Sequence, residues 1–298
     1  MSGKGPVLVL NNGVEMPAFG FGVFQSAPED AVKAVKSAIA NGYRLIDTAA
    51  AYLNEVEVGE AIRESGVDRS EVFLTTKLWL SDYGYDKTLH AFDRSMRKLR
   101  IDYLDLYLLH WPFPAEFENT IASYRAAEKL LTDGRVRAIG VSNFNPGHLE
   151  LLLARSAVVP AVNQIELHPF FSQKELRAAD SKLGIVTQAW SPIGGINRYW
   201  APNPEKPNDP LVHPTIVELA TKYAKTAAQI VLRWQIDIGT SPIPKSVRPE
   251  RIAENIDIFD FVLSQAEIAA IDALDTGKRG GPDPELVSSQ MFDNKIED

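Results

Sequence analysis

Three strand-like runs early in the chain each end in one ionisable side chain. The run Val72-Phe-Leu-Thr-Thr-Lys77 is rich in β-branched and aromatic residues and reads as a strand buried on both faces. A charge at the end of such a strand is costly to desolvate unless something pairs with it. Arg44-Leu-Ile-Asp47 ends in a carboxylate, with Tyr52 a short step further on, and Leu104-Asp-Leu-Tyr-Leu-Leu-His110 ends in an imidazole. A tyrosine hydroxyl ionises near pH ~10, and a neighbouring ammonium favours the phenolate. We therefore expect Lys77 to lower the Tyr52 pKa, Asp47 to keep Lys77 charged and aimed, and His110 to orient a carbonyl oxygen beside Tyr52. A proton donor facing a polarised carbonyl suits hydride transfer. Taken singly, Asp47 and Lys77 could be a structural ion pair, His110 a satisfied core histidine and Tyr52 a loop aromatic. Their placement at successive strand ends weakens those readings together.

The elements that must position these groups alternate along the whole chain. A hairpin is expected over 7–16, where strand-like runs flank Asn12-Gly13, a strong turn signal. It can plug one end of the fold. Strands are then expected over 19–23, 45–47, 72–77, 104–110, 137–142, 161–166, 185–190 and 242–244. Helical periodicity fills the gaps over 29–40, 55–64, 85–99, 120–132, 146–154, 173–183, 215–223, 227–237 and 251–257. A further helix over 264–274 carries the capping-box pair Ser264 and Glu267. Eight β/α units point to an α/β fold, a (β/α)8 TIM barrel with an N-terminal β-hairpin, as one domain over 1–298. Long loops are expected on its C-terminal face, above all the Pro-rich stretch 193–210, which holds Tyr199 and Trp200. The tail 276–298 shows no clear periodicity.

The alternative of an open doubly wound sheet lacks its Gly-rich fingerprint, since Gly20-Phe-Gly22 is followed by Gln25 where the third glycine belongs. Gly140-Val-Ser142-Asn-Phe144 misses the last glycine of a nucleophile elbow. There is no Walker loop and no H-E-x-x-H; the histidines, His90, His110, His148, His168 and His213, are scattered, so no metal is expected. The absence of cysteine removes disulfides, thiol nucleophiles and thiolate metal sites. A net charge of −8, from 31 basic and 39 acidic residues, argues against a nucleic-acid partner. No apolar run is long enough for a membrane span or signal core, so a cytoplasmic location is expected.

Six segments carry a resemblance. They are Asp47-Thr-Ala-Ala-Ala-Tyr52-Leu-Asn-Glu55, Lys77-Leu-Trp79, Leu109-His110-Trp111-Pro112, Gly140-Val-Ser142-Asn143-Phe144, Asn163-Gln164-Ile-Glu166 and Ile243-Pro-Lys245-Ser246. With them the chain resembles the aldo-keto reductase superfamily from the first hairpin to about residue 275. The resemblance implies Tyr52 as general acid, Lys77 and Asp47 as its tuning pair and His110 as the group that orients the substrate. It also implies a nicotinamide cofactor held without the Gly-rich fingerprint. Ser142, Asn143 and Gln164 then match the residues that bond the carboxamide, and Trp190, with Ser191 beside it, the aromatic on which the ring stacks. Lys245, Ser246, Val247 and Arg251 form a site for the 2′-phosphate of NADP, with Glu254 and Asn255 facing adenine. Arg fits a phosphate in bidentate fashion, and a helix N-terminus favours an anion. NADPH is therefore expected over NADH. Considered singly, Trp190 could be core packing and the Lys245 cluster a solvated basic turn.

Phe24, Trp79, Trp111 and Phe113 are candidates for the substrate pocket, with Tyr199 and Trp200 as lid residues. The segment after His110 is short, 111–118, which implies an open pocket. In look the chain is closest to bacterial 2,5-diketogluconate reductases, which also take ketoesters and small dicarbonyls. The expected activity is NADPH-dependent reduction of an aldehyde or ketone by a monomer whose partner is a small-molecule carbonyl. Two other classes stand beside it: a cofactor-binding regulatory subunit on the same barrel, as in potassium-channel β-subunits, and an isomerase or aldolase that binds no nicotinamide.

Overall fold

The computed structural model describes residues 5–195, 209–292 and 295–297. Two short strands, β1 (Val7–Val9) and β2 (Glu15–Pro17), pair antiparallel as the hairpin. Eight more strands follow: β3 (Phe21–Gly22), β4 (Leu45–Asp47), β5 (Phe73–Leu78), β6 (Leu104–Leu109), β7 (Val136–Ser142), β8 (Val162–Glu166), β9 (Val186–Trp190) and β10 (Ser241–Pro242). They lie side by side in sequence order, and every pair is parallel. The sheet closes on itself through Gly20 N–H to Pro242 O (3.0 Å) and Gly22 N–H to Pro244 O (3.0 Å). The fold is the expected α/β barrel with helices packed around it.

Side chains alternate across a strand, and that period fills the barrel interior. Leu45, Phe73, Leu106, Leu108, Ala138 and Val162 pack inside as one cluster with Leu10 and Met16 of the hairpin. The hairpin seals the N-terminal end: Asn11 Nδ2 donates to Pro160 O (2.9 Å) and Asn12 Nδ2 to Arg137 O (2.9 Å). Gly140 owes its identity to this crowding, because a Cβ there would lie 2.5 Å from Val162 O. Stepping two residues at a time from the packed layer leads to Asp47, Lys77, His110, Ser142, Gln164 and Trp190. The ionisable and amide groups are thus the layer above the apolar one, at the C-terminal ends of the strands.

Most elements lie where expected, with boundaries shifted by one to three residues. The fourth helix runs Phe117–Thr132, entered from a 3-10 turn at Pro114–Glu116. The helix after β10 runs Pro249–Ile256, with Pro249 in its first turn, where the missing N–H costs nothing. The last strand is Ser241–Pro242 rather than 242–244, starting one residue earlier and ending two earlier. The Ser264–Glu267 capping box forms on the helix Gln265–Asp272.

Candidate active site

Lys77 is fully buried, and its ammonium is placed by three acceptors. Nζ lies 2.6 Å from Asp47 Oδ1, 2.8 Å from Thr48 O and 3.3 Å from the Tyr52 hydroxyl oxygen. Register explains the reach: Asp47 sits opposite Thr75, so Lys77 stands one pleat higher on the next strand. Tyr52 closes a 3-10 turn, Ala50–Tyr52. Asn54 fastens that loop, accepting from Thr48 Oγ1 (2.8 Å) and donating to Val23 O (3.0 Å). His110 stacks edge-on against Tyr52, with ring centres 5.8 Å apart, and against Trp79 at 5.1 Å.

Burial dominates the electrostatics. It pushes the Asp47 carboxyl up and the Lys77 ammonium down, while each opposes the shift of the other. The expected lowering of the Tyr52 pKa is not found. Burial pushes the phenol well above its ordinary value, and the Asp47 carboxylate pushes the same way. The physical reason is that the Lys77 charge is largely neutralised by Asp47, leaving desolvation to decide. The phenol is held as the protonated donor. Burial, and then the Lys77 charge, hold His110 well below its usual pKa and therefore neutral.

Asp47, Tyr52 and His110 line one cleft of about 490 Å³, with Lys77 buried behind its wall. Its lining includes Tyr52 and His110 together with Lys245 and Arg251. Ser142, Asn143, Gln164, Trp190 and Ser191 line the same cleft. The amides are already engaged. Gln164 Nε2 donates to Asp47 Oδ2 and to Gln188 Oε1, both at 2.7 Å. Asn143 Nδ2 donates to His110 O (3.0 Å), and its Oδ1 accepts from Trp190 Nε1 (2.8 Å). Ser142 Oγ donates to Gln164 O (2.7 Å).

The remaining predicted cofactor residues stand back from the cleft lining. Ser246 Oγ accepts from Arg248 N–H (3.1 Å) and shapes the turn into the helix. Val247 is exposed, Asn255 is buried, and Glu254 Oε1 accepts from Thr226 Oγ1 (2.9 Å). Burial lowers the pKa of Lys245, opposed by Asp30.

Phe24, Trp79 and Trp111 line the cleft as expected. Phe113 does not; it is buried against Tyr83, with ring centres 6.1 Å apart. Tyr199 and Trp200 lie outside the described residues. Phe292, from the tail, was not foreseen. Its ring lies 5.2 Å from Trp79 and 5.5 Å from Trp111 and forms part of the cleft wall. No periodicity marks a lone aromatic in such a tail. Among the described residues, no group of three His, Cys, Asp or Glu could hold a metal, and no helix is long and apolar enough to cross a membrane.

Comparison with known proteins gives concordant matches. The Aldo/keto reductase family model matches residues 18–276. The chain is 57% identical over 293 residues to morphine 6-dehydrogenase of Pseudomonas putida, covering 98% of this chain and 99% of that one. It is 48% identical over 277 residues to glyoxal reductase of Bacillus subtilis, covering 93% and 95%. The crystal structure of a Bombyx mori aldo-keto reductase in complex with NADP superposes with a TM-score of 0.86 at 36% identity, covering 98% of each chain.

Proposed function

The chain belongs to the aldo/keto reductase family, and from that membership we propose that it is an NADPH-dependent carbonyl reductase with Tyr52 as proton donor. One observation carries the reading. The Tyr52 hydroxyl, 3.3 Å from the buried Lys77 ammonium, shares a cleft with the cations Lys245 and Arg251. A proton donor and two cations in one cleft suit NADPH, which brings both a nicotinamide and a 2′-phosphate.

The residues fit that cofactor. Arg251 and Lys245 would hold the 2′-phosphate, aided by the helix Pro249–Ile256, whose N-terminus no side chain caps. Trp190 offers a π-face, and beside Ser142 the side-chain oxygens of Asn143 and Gln164 offer acceptors for a carboxamide NH2, their own N–H groups being engaged. When bound, the nicotinamide supplies a hydride. Tyr52, held protonated by burial, gives its proton to the carbonyl oxygen as that oxygen becomes an alkoxide. Lys77 then stabilises the phenolate that remains, and Asp47 keeps the ammonium in place. His110 is neutral, and its Nδ1 is buried with no hydrogen-bond partner. An orphaned acceptor costs less than an orphaned N–H, so the proton belongs on Nε2, where it can donate to the substrate oxygen.

The relatives named above point to carbonyls of very different size, from glyoxal to the ketone of a polycyclic alcohol. The aromatic wall of Phe24, Trp79, Trp111 and Phe292 favours an apolar or aromatic group beside the carbonyl. The test is NADPH consumption by the purified protein with glyoxal, methylglyoxal, diketogluconate, a ketoester, an aromatic aldehyde and a morphinan ketone. Binding of NADPH without turnover of any of them would instead favour the cofactor-binding regulatory subunit.

A further inference from the structure

The turn after β7 is gripped from outside the barrel wall, by side chains that do not line the cleft. We propose that Asn163 and Asp180 are positioning residues that fix the Asn143–Phe144 turn, and through it the nicotinamide end of the cleft. The proposal rests on the reading that the cleft takes NADPH.

Asn143 has a left-handed backbone, with φ of 64°. Asparagine enters that region more readily than other side chains, but a fixed turn there still needs partners to hold it. Three hydrogen bonds do so. Asn143 N–H donates to Gln164 O (2.9 Å). Phe144 N–H donates to Asn163 Oδ1 (3.4 Å), and Asn163 Nδ2 donates back to Phe144 O (2.9 Å). One amide thus pairs with both polar groups of one backbone residue. It can do so in a single orientation. Turned end for end, its NH2 would face an N–H and its oxygen would face a carbonyl.

Asp180 selects the orientation. Its Oδ1 accepts the second N–H of Asn163 (3.1 Å), and its Oδ2 accepts from Thr187 Oγ1 (2.8 Å). Asn163, Asp180 and Phe144 are fully buried, so no water replaces a lost partner. Burial pushes the Asp180 carboxyl up to about 7, against the two hydrogen bonds that lower it. Oδ1 can accept from Asn163 in either protonation state, so the grip needs an oxygen there rather than a charge.

The turn matters because of what Asn143 touches. Its side chain bonds His110 O (3.0 Å), Ser142 Oγ (3.1 Å) and Trp190 Nε1 (2.8 Å). A shift of this one residue moves the stacking indole and the strand end that carries His110. None of these contacts involves Lys245 or Arg251.

The experiment compares two ligands by calorimetry on the full-length protein. NADP+ spans the cleft; adenosine 2′,5′-bisphosphate carries only the phosphate end. Asp180→Leu and Asn163→Ala should weaken NADP+ about tenfold, the effect of one or two buried hydrogen bonds. The bisphosphate should stay within about twofold. The kcat for carbonyl reduction should fall more than the KM for the carbonyl changes. Asp180→Asn keeps an oxygen for Asn163 and should bind both ligands like the wild type. Should Asp180→Leu fail to fold, Asn163→Ser, which shortens the grip but keeps one acceptor, reads the same difference. Equal weakening of both ligands, unchanged NADP+ binding, or an Asp180→Asn variant as impaired as Asp180→Leu would overturn the proposal. Wild-type protein that bound neither ligand would overturn the cofactor reading, and this proposal with it.

Discussion

Replacing Lys77 by methionine separates what the buried charge costs from what it does. Methionine fills similar space but removes all three donors to Asp47, Thr48 and Tyr52. Asp47, 1% exposed, keeps only the Gln164 Nε2 donor at 2.7 Å. Removing one partner of a buried pair costs roughly 3–5 kcal/mol, because the other charge is left uncompensated. The carboxyl has an escape, which is to take up a proton. Burial already pushes its pKa up, and the ammonium that opposed the shift is gone. A carboxyl whose folded pKa exceeds its unfolded value binds protons more tightly in the native state. Its contribution is fully present below the unfolded pKa of about 3.9 and is lost as pH rises through the folded pKa, by up to about 1.4 kcal/mol per pH unit. The variant should therefore lose more stability, relative to wild type, at about pH 8 than at about pH 5. Carbonyl reduction should fall by ~10²–10⁴-fold, the usual worth of a positioned acid, while NADP+ binding survives. Adding Asp47→Asn removes the orphan charge. The double variant should regain most of the stability and none of the activity. Urea unfolding at the two pH values, turnover and calorimetry measure all of this. A folded Lys77→Met protein with near wild-type turnover, or a double variant no more stable than the single one, would refute the reasoning.

Three further outcomes follow from the same geometry. Arg251→Met should raise the KM for NADPH roughly tenfold or more and leave that for NADH nearly unchanged, since only NADPH has a 2′-phosphate to lose; equal loss for both cofactors would sink the phosphate assignment. Phe292→Ala removes a ring from the wall shared with Trp79 and Trp111, so the KM for an aromatic aldehyde should rise about threefold to tenfold while that for glyoxal holds; steady-state kinetics on the two substrates decides it. Asp105 is buried and accepts from Arg69 (2.7 Å), Arg137 (2.7 Å) and the backbone N–H of Leu74 (2.9 Å), so Asp105→Ala should cost about 3 kcal/mol in urea unfolding without lowering kcat.

The barrel was legible because one period governs both its packing and its chemistry. Leu106, Leu108 and His110 lie two residues apart on one strand and its end, so the alternation that predicts the core also predicts which polar group crowns it. Helix starts were less legible where a preceding turn leads in, as Pro114–Glu116 does before Phe117. The tail was not legible at all. Gly280 N–H and Gly281 N–H donate to the Glu166 carboxylate at 2.7 and 2.9 Å, and Asn145 Nδ2 bonds Glu285 at 2.8 Å. Contacts of that kind join residues more than a hundred positions apart and leave no local pattern, so Phe292 arrives at the cleft unannounced.

The sign of the Tyr52 shift failed for a related reason. Residue types reveal an ammonium near a phenol, but burial and the pairing of that ammonium are properties of the assembled layer. Asp47 shows the consequence. Its Oδ1 takes Lys77 and its Oδ2 takes Gln164, which in turn bonds Gln188, whose Nε2 reaches Ser241 Oγ at 3.3 Å. A single hydrogen-bonded row therefore crosses the barrel from Lys77 to β10. Sequence motifs assign Lys77 to proton transfer and Gln164 to cofactor binding as separate roles. The shared carboxylate joins them, since Lys77 takes one of its oxygens and Gln164 the other. Coupling of that kind belongs to distances of about 2.7 Å inside a low-dielectric layer, which no spacing along the chain encodes.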